Sequence, residues 1–389
     1  MSALYLLEPE APGPEWAPFA GVRPIAEVRA GAWLVRERWE AALQTDAVAT
    51  IGAHAEGFYE EGAAPIVAPG RMSGPATIVA STFAPSGARI APAPDVRRFT
   101  HRGATVGWVV AAGEVWEQPH GEGAALEVEG LPLRGAFDLV TALEFLLPGD
   151  CADFLGASTS HIPGGSLVLG DPARVISRGA VVEPGVVFDV RNGAVVLQEG
   201  VEVRHGTRLE GPVFVGANTK IHGGFIRGSA FGPECRVHGE VAATVFFGFA
   251  NKSHDGFVGH SVLGPWVNLG AGTITSNLKN TYGPVRLDVR GTRIETGRLN
   301  LGTLFGDHAK TAIGTMLSTG TVVSAGANVF GEAAPRYVPP FAWGSAGRER
   351  LSEAGLLRVA ERVLGRRNIA FTAAQRTSLQ RMYARGTSA

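Results

Sequence analysis

The chain has 389 residues, 45% of them hydrophobic, enough to give two or three domains a core each and too apolar for a disordered chain. Its 35 Lys and Arg nearly balance 36 Asp and Glu, which excludes a general pull toward nucleic acid or an anionic membrane and means any anionic ligand must be caught locally. Two cysteines, Cys151 and Cys235, without CxxC spacing fit a reduced compartment better than a disulfide framework.

The first residues, MSALYLLEPEAPGPEW, lack the basic start and apolar run of a signal peptide, and no later stretch reaches 18 apolar residues; the expectation is a cytoplasmic protein that does not span a membrane. Residues 1 to about 160 read as mixed α/β. An amphipathic stretch, Val35 to Val48, carries Trp39, Ala42 and Leu43 on one side; ATVGWVVAAG (104–113) is β-rich and FDLVTALEFLL (137–147) looks helical. Connections such as APGRMSGPA (68–76) and APAPD (91–95) break this part into short elements.

From about residue 161 a period of six takes over. Leu197, Val203, Leu209, Val215 and Ile221 form one apolar column, and Val201, Thr207, Val213, Thr219 and Phe225 a second, offset by four. Leu263 and Leu269 with Val267 and Thr273 repeat the pattern, as do Ile313, Thr319 and Ala325 with Leu317, Val323 and Val329. A helix gives 3.6 and a simple strand 2, so a strict six implies a short strand and a turn per hexad. The 53 glycines, about twice the usual share of about 7%, supply the turns. Such coils bury their apolar column only by stacking, so residues 161–345 read as a parallel β-helix whose hand the period leaves open. The register fails near Arg227 and across 275–312, where a long polar excursion leaves the coil and becomes a place to look for function. After Pro339 and Pro340, residues 346–389 form a tail in which Leu351, Leu356, Val359 and Val363 mark an amphipathic helix.

The segment NKSHDGFVGHSVLGPWVNLGAGTITSNLKN (251–280) resembles the acetyltransferase domain of the bifunctional glucosamine-1-phosphate N-acetyltransferase and N-acetylglucosamine-1-phosphate uridyltransferase family. VFFGFANKSHDGFVGHSVLGPWVNLG, SNLKNTYGPVRL, GDHAKTAIGTMLSTGTVV and RPIAEVRAGAWLVRERWE (23–40) are similar to a divergent bacterial branch of sugar nucleotidyltransferases with the same plan. The resemblance implies an α/β nucleotidyltransferase-like domain followed by a left-handed parallel β-helix, a homotrimer with sites between subunits, acetyl-CoA as donor, and a small-molecule sugar phosphate as acceptor.

Residue by residue, the resemblance puts His254 on the general base that deprotonates the sugar amine. Asn268 and Asn277 fall on substrate contacts, and Ala271 on the backbone that holds acetyl-CoA. His is the side chain best poised for that proton transfer near neutral pH, and an N–H in the turn Gly270 to Gly272 could meet the developing oxyanion. The family's phosphate-gripping lysine falls near Ala242 and Ala243, and its tyrosine after the base is Phe257. Arg227 then stands in for a phosphate-binding arginine, and Lys252 or Lys279 for the lost lysine. His205, His222, His238 and His260 read as surface or turn residues, and His308 as a turn cap that could instead line a cleft.

In the N-terminal part LYLLEPEAPGPEW replaces the family's Gly-rich phosphate loop, and its acids would repel a triphosphate. Arg23, Arg29 and Arg36 remain as candidates for a nucleotide or anion site, with a solvated face as the plainer reading. Three functions follow: acetyl transfer to an amino sugar phosphate; nucleotidyl transfer in the N-terminal domain with a nucleoside triphosphate and Mg2+, the β-helix being a trimer scaffold; or a non-catalytic scaffold.

Overall fold

A computed structural model describes residues 2–388. Residues before the coil build a seven-stranded mixed sheet in the order Ala124–Glu127, Val96–His101, Ala104–Val110, Ala76–Ala80, Ala3–Leu7, Ala47–Ile51, Ile66–Val67. Ala3–Leu7 lies parallel to both Ala47–Ile51 and Ala76–Ala80, so the chain crosses first to one side of it and then to the other. The crevice beyond its C-terminal end is the place where open α/β sheets bind ligands.

The amphipathic stretch splits. Helix α1 (Val35–Leu43) ends because Gln44 turns left-handed, at φ 54°, and Ala47 begins a strand. Trp39 is fully buried, its indole N–H donating to the Phe83 carbonyl at 3.0 Å. The apolar segment at 137–147 breaks at Leu146 into α2 (Asp138–Phe145) and α3 (Leu147–Ala152).

From Leu167 the chain forms a left-handed parallel β-helix with three sheets of six, nine and ten strands. The sheets begin with Leu167–Leu169, Val175–Ser177 and Val181–Val182 respectively. Leu197, Val203, Leu209, Val215 and Ile221 are buried as the period predicts. The coil then shortens, from 18 residues between Val203 and Ile221 to 16 at Val237 and 15 at Lys252. The shortening turns Ile226, not Phe225, inward. The last set is also shifted: Thr311, Leu317, Val323 and Val329 face inward, whereas Ile313 is 80% exposed.

The second sheet is apolar on both sides. Ile176, Val196, Phe214, Ala230, Val245, Val262, Leu304 and Val322 point out of the coil and join one core with Leu143, Leu146 and Val140 of the N-terminal part. Each Val, Leu, Ile or Phe among them stabilises the packing by about 1.5–3 kcal/mol, and strands buried on both faces read as continuous apolar runs. The polar excursion is a clamp on the same contact. Its hairpin, Arg286–Val289 with Thr292–Glu295, buries Leu287 and Val289 in that core, and Arg298 donates to Thr141 Oγ1 at 2.6 Å and Glu144 at 2.5 Å.

The tail holds two helices where the apolar spacing showed one. Helix α4 (Glu353–Gly365) starts at Ser352, whose hydroxyl accepts from Gly355 N–H; Leu356 packs on Ala325 and Phe341 of the coil. Helix α5 (Ala373–Ser388) returns to the N-terminal part, where Arg385 donates to the Gly21 carbonyl at 2.7 Å. No helix among the described residues is long and apolar enough to cross a membrane.

Candidate active site

Strand Asn251–Lys252 of the third sheet ends at the corner that leads into Phe257–Gly259 of the first. His254 sits on this corner, exposed, and its imidazole makes no hydrogen bond among the described residues. One coil further, Gly270, Ala271 and Gly272 turn the same corner: Gly272 N–H donates to the Asp255 carbonyl at 2.9 Å and Gly270 N–H to the Thr311 carbonyl at 3.1 Å. The Ala271 N–H is the one in this turn without an acceptor among the described residues. Gly272 has φ +71°, which a Cβ would strain.

Asn268 stands on the outer face of the third sheet directly above Asn251, and its Oδ1 accepts from Asn251 Nδ2 at 2.7 Å. Asn251 in turn accepts from the Ser253 hydroxyl, so a polar chain runs from Asn268 to the residue beside His254. Asp255 is exposed, 3.2 Å from His238 Nδ1. Beside Ala271 the surface turns apolar: Ile274 and Met316 lie side by side on adjacent strands, and both, with Ile313, are exposed.

Lys252 belongs to this corner from the inside. Alternation along the strand turns it into the coil, in the column of Val203, Ile221 and Val237, where it is 2% exposed. Its Nζ donates to the carbonyls of His238 at 2.6 Å and His254 at 2.8 Å. Burial pushes its pKa down to about 8, against the pull of Asp255. It is therefore not a free ammonium facing a sugar phosphate.

The remaining expected contacts lie elsewhere. Asn277 is at the far corner of the first sheet, its amide 2.7 Å from His260 Nδ1, and strand Phe257–Gly259, roughly 10 Å long, separates it from His254. Burial, then Arg298, holds His260 down at about 4, so this imidazole is neutral. Arg227 is exposed two coils before Gly259, near the Phe225 ring. Lys279 Nζ donates to the Pro284 carbonyl at 2.7 Å and closes its own loop.

The three N-terminal arginines are buried, not a solvated face. Arg23 is held by Asp307, with Nη2 3.0 Å from Oδ2, and by Glu60; Arg36 is held by Glu27 at 2.6 Å and Glu40 at 2.8 Å. Two of the three are thus neutralised by carboxylates and cannot serve as free cations for a triphosphate. Beyond the end of Ala3–Leu7 the sequence reading missed Glu8. Its buried carboxylate accepts from Ile25 N–H at 2.8 Å, Ala26 N–H at 2.9 Å and His54 at 2.9 Å, so the protein's own anion takes the backbone donors at the sheet's crevice. Among the described residues no group of three or more His, Cys, Asp or Glu is arranged to hold a metal ion.

Both cysteines are buried and unpaired. No family model matches the chain. Over 64 residues it is 38% identical to a bifunctional sugar-1-phosphate nucleotidylyltransferase/acetyltransferase of Sulfurisphaera tokodaii, a match that covers 16% of this chain and 16% of that relative.

Proposed function

We propose that the protein transfers an acetyl group from acetyl-CoA to the amine of an amino sugar phosphate, with His254 as general base. The observation that carries the reading is the pairing, on adjacent coils of one corner, of an exposed, unbonded imidazole with the free Ala271 N–H. His254 takes the proton that the amine loses as its nitrogen attacks the thioester carbonyl, and the Ala271 N–H donates to the oxygen on which charge develops. Collapse breaks the C–S bond, coenzyme A leaving as the thiol with the proton from His254. Asn268 orients the acceptor, and the apolar strip of Ile274, Ile313 and Met316 offers cover to the thioester arm. A second copy of the chain over that strip would close the site, in keeping with a homotrimer. The named activities of the Sulfurisphaera tokodaii protein support the acetyl-transfer class.

A second reading, nucleotidyl transfer by the N-terminal part, is favoured by the strand-order reversal at Ala3–Leu7 and by the other activity in that relative's name. The two separate in one experiment. Purified protein receives acetyl-CoA with glucosamine-1-phosphate, followed by free thiol, and in parallel UTP, Mg2+ and N-acetylglucosamine-1-phosphate, followed by pyrophosphate. Thiol release that disappears in His254→Ala supports acetyl transfer, whereas thiol release unchanged in that variant removes His254 as base. Pyrophosphate alone moves the chemistry to the N-terminal part, and silence in both favours a scaffold.

A further inference from the structure

A cleft of about 610 Å³ lies where the N-terminal part, the corner between the second and third sheets, and helices α4 and α5 meet. It is distinct from the His254 corner, and its size suits a small organic ligand. Arg29 lines it. This guanidinium is 6% exposed, its Nη1 donates to the Ala32 carbonyl, its Nε has no partner, and no carboxylate pairs with it among the described residues. Arg23 and Arg36, in the same cleft, are fully paired. A buried cation without a counter-ion is costly; accordingly burial lowers the Arg29 pKa, opposed first by Glu37, which lines the same cleft but forms no ion pair with it.

A second side chain without a hydrogen bond among the described residues lines the same space. His308 is 6% exposed and lines the cleft, and its Nδ1 has no partner. It ends a stack of rings on successive coils, Phe249 on Trp266 at 4.6 Å and Trp266 on His308 at 6.3 Å. All three residues are left-handed, at φ 55°, 64° and 61°, a conformation that costs a bulky residue about 1–2 kcal/mol. Asn218 and Glu234, at φ 58° and 60° on the preceding coils, share this corner conformation, so the ring stack is built on the regular turn of the coil. The rim carries Tyr59, Glu60 and Glu61, acceptors for hydroxyl groups and a barrier to multiple negative charge.

We infer that this cleft binds a small hydroxyl-bearing acid of at most two negative charges, either a carboxylate or a phosphate monoester, whose anion pairs with Arg29 and whose polar body reaches His308. The site is independent of the His254 reading. Titration calorimetry on the full chain uses glucose 1-phosphate and gluconate as probes of the two anion types, with UTP as the multiply charged comparison. At least one of the two small acids binds, more tightly than UTP, and binds equally to His254→Ala. Arg29→Met weakens it about tenfold or more, while the surface control Arg71→Gln does not. Because Arg29 has no counter-ion to lose and its buried charge is costly, the unliganded Arg29→Met protein unfolds at the parent's temperature or above it. The inference is overturned if neither acid binds, if UTP binds more tightly than both, if Arg29→Met binds like the parent, or if that variant unfolds about 10 °C or more lower, which would make Arg29 a structural strut.

Discussion

Lys252 Nζ lies 2.8 Å from the carbonyl oxygen of His254, inside the β-helix, and 2.6 Å from that of His238. An ammonium thus sits where neighbouring coils put valine and isoleucine, and it ties down the backbone of the residue proposed as base. Lys252→Met keeps the volume but leaves two carbonyls without a donor, at about 1–3 kcal/mol each if they stay dry. The variant should lose stability in urea by that order and lose kcat more than KM, because the corner loosens without losing a contact to the acceptor.

The same lysine gives a pH signature. Its folded pKa of about 8 lies below the ordinary 10.5, so between these values the unfolded chain binds more protons than the folded one and stability rises with pH. The cost of burying the charge is fully present below about pH 8 and is relieved as the pH rises to about 10.5, by on the order of 3 kcal/mol at most. The stability difference between parent and Lys252→Met, from urea midpoints at pH 7.5 and 10, should therefore grow in the parent's favour. A constant difference would show that the amine does not titrate in this window.

Asn268 and Asn277, alike in the sequence reading, should part company in kinetics. Asn268→Ala breaks the polar chain that ends beside His254, and acetyl transfer should fall by about 10- to 100-fold in kcat/KM. Asn277→Ala, at the opposite corner beside His260, should leave acetyl transfer within about twofold of the parent. Equal losses would place the acceptor along the whole first sheet.

Arg23 and Asp307 join the N-terminal part to the coil through a buried pair. Asp307→Asn leaves the guanidinium underpaired, and breaking such a pair costs about 3–5 kcal/mol. Calorimetry should show a lower transition, and a split into two would mean that the two parts then unfold separately.

Thiol chemistry tests the packing directly. Burial pushes Cys235 up to about 11 and Cys151 up as well, so neither supplies thiolate at pH 8. A disulfide reagent should titrate no thiol in the folded protein and two in denaturant; fast reaction of the native chain would show one of the cores open.

The coil was legible because its rule is local. Each hexad repeats one strand and one turn, and even the different fates of the sheets are written in it: VVL, VFV and VF are apolar throughout, whereas EV, KI and RV alternate. The places where the reading slipped, Phe225 and Ile313, are where a coil is shorter than 18 residues or the column had to be picked up again after an insertion, so that counting by six assigns the wrong face. The sequence distance from His254 to Asn268 and Ala271 is about one coil, and this places them on neighbouring coils of one corner. What only the tertiary structure decided was every relation across long separations: that Lys252 points inward to hold His254, that Arg23 and Arg36 are consumed by acids while Arg29 is not, that the polar excursion clamps the N-terminal part, and that a second tail helix closes a cleft over the coil. These depend on which side chains meet once distant segments pack, and burial and charge pairing at such meetings follow no period along the chain.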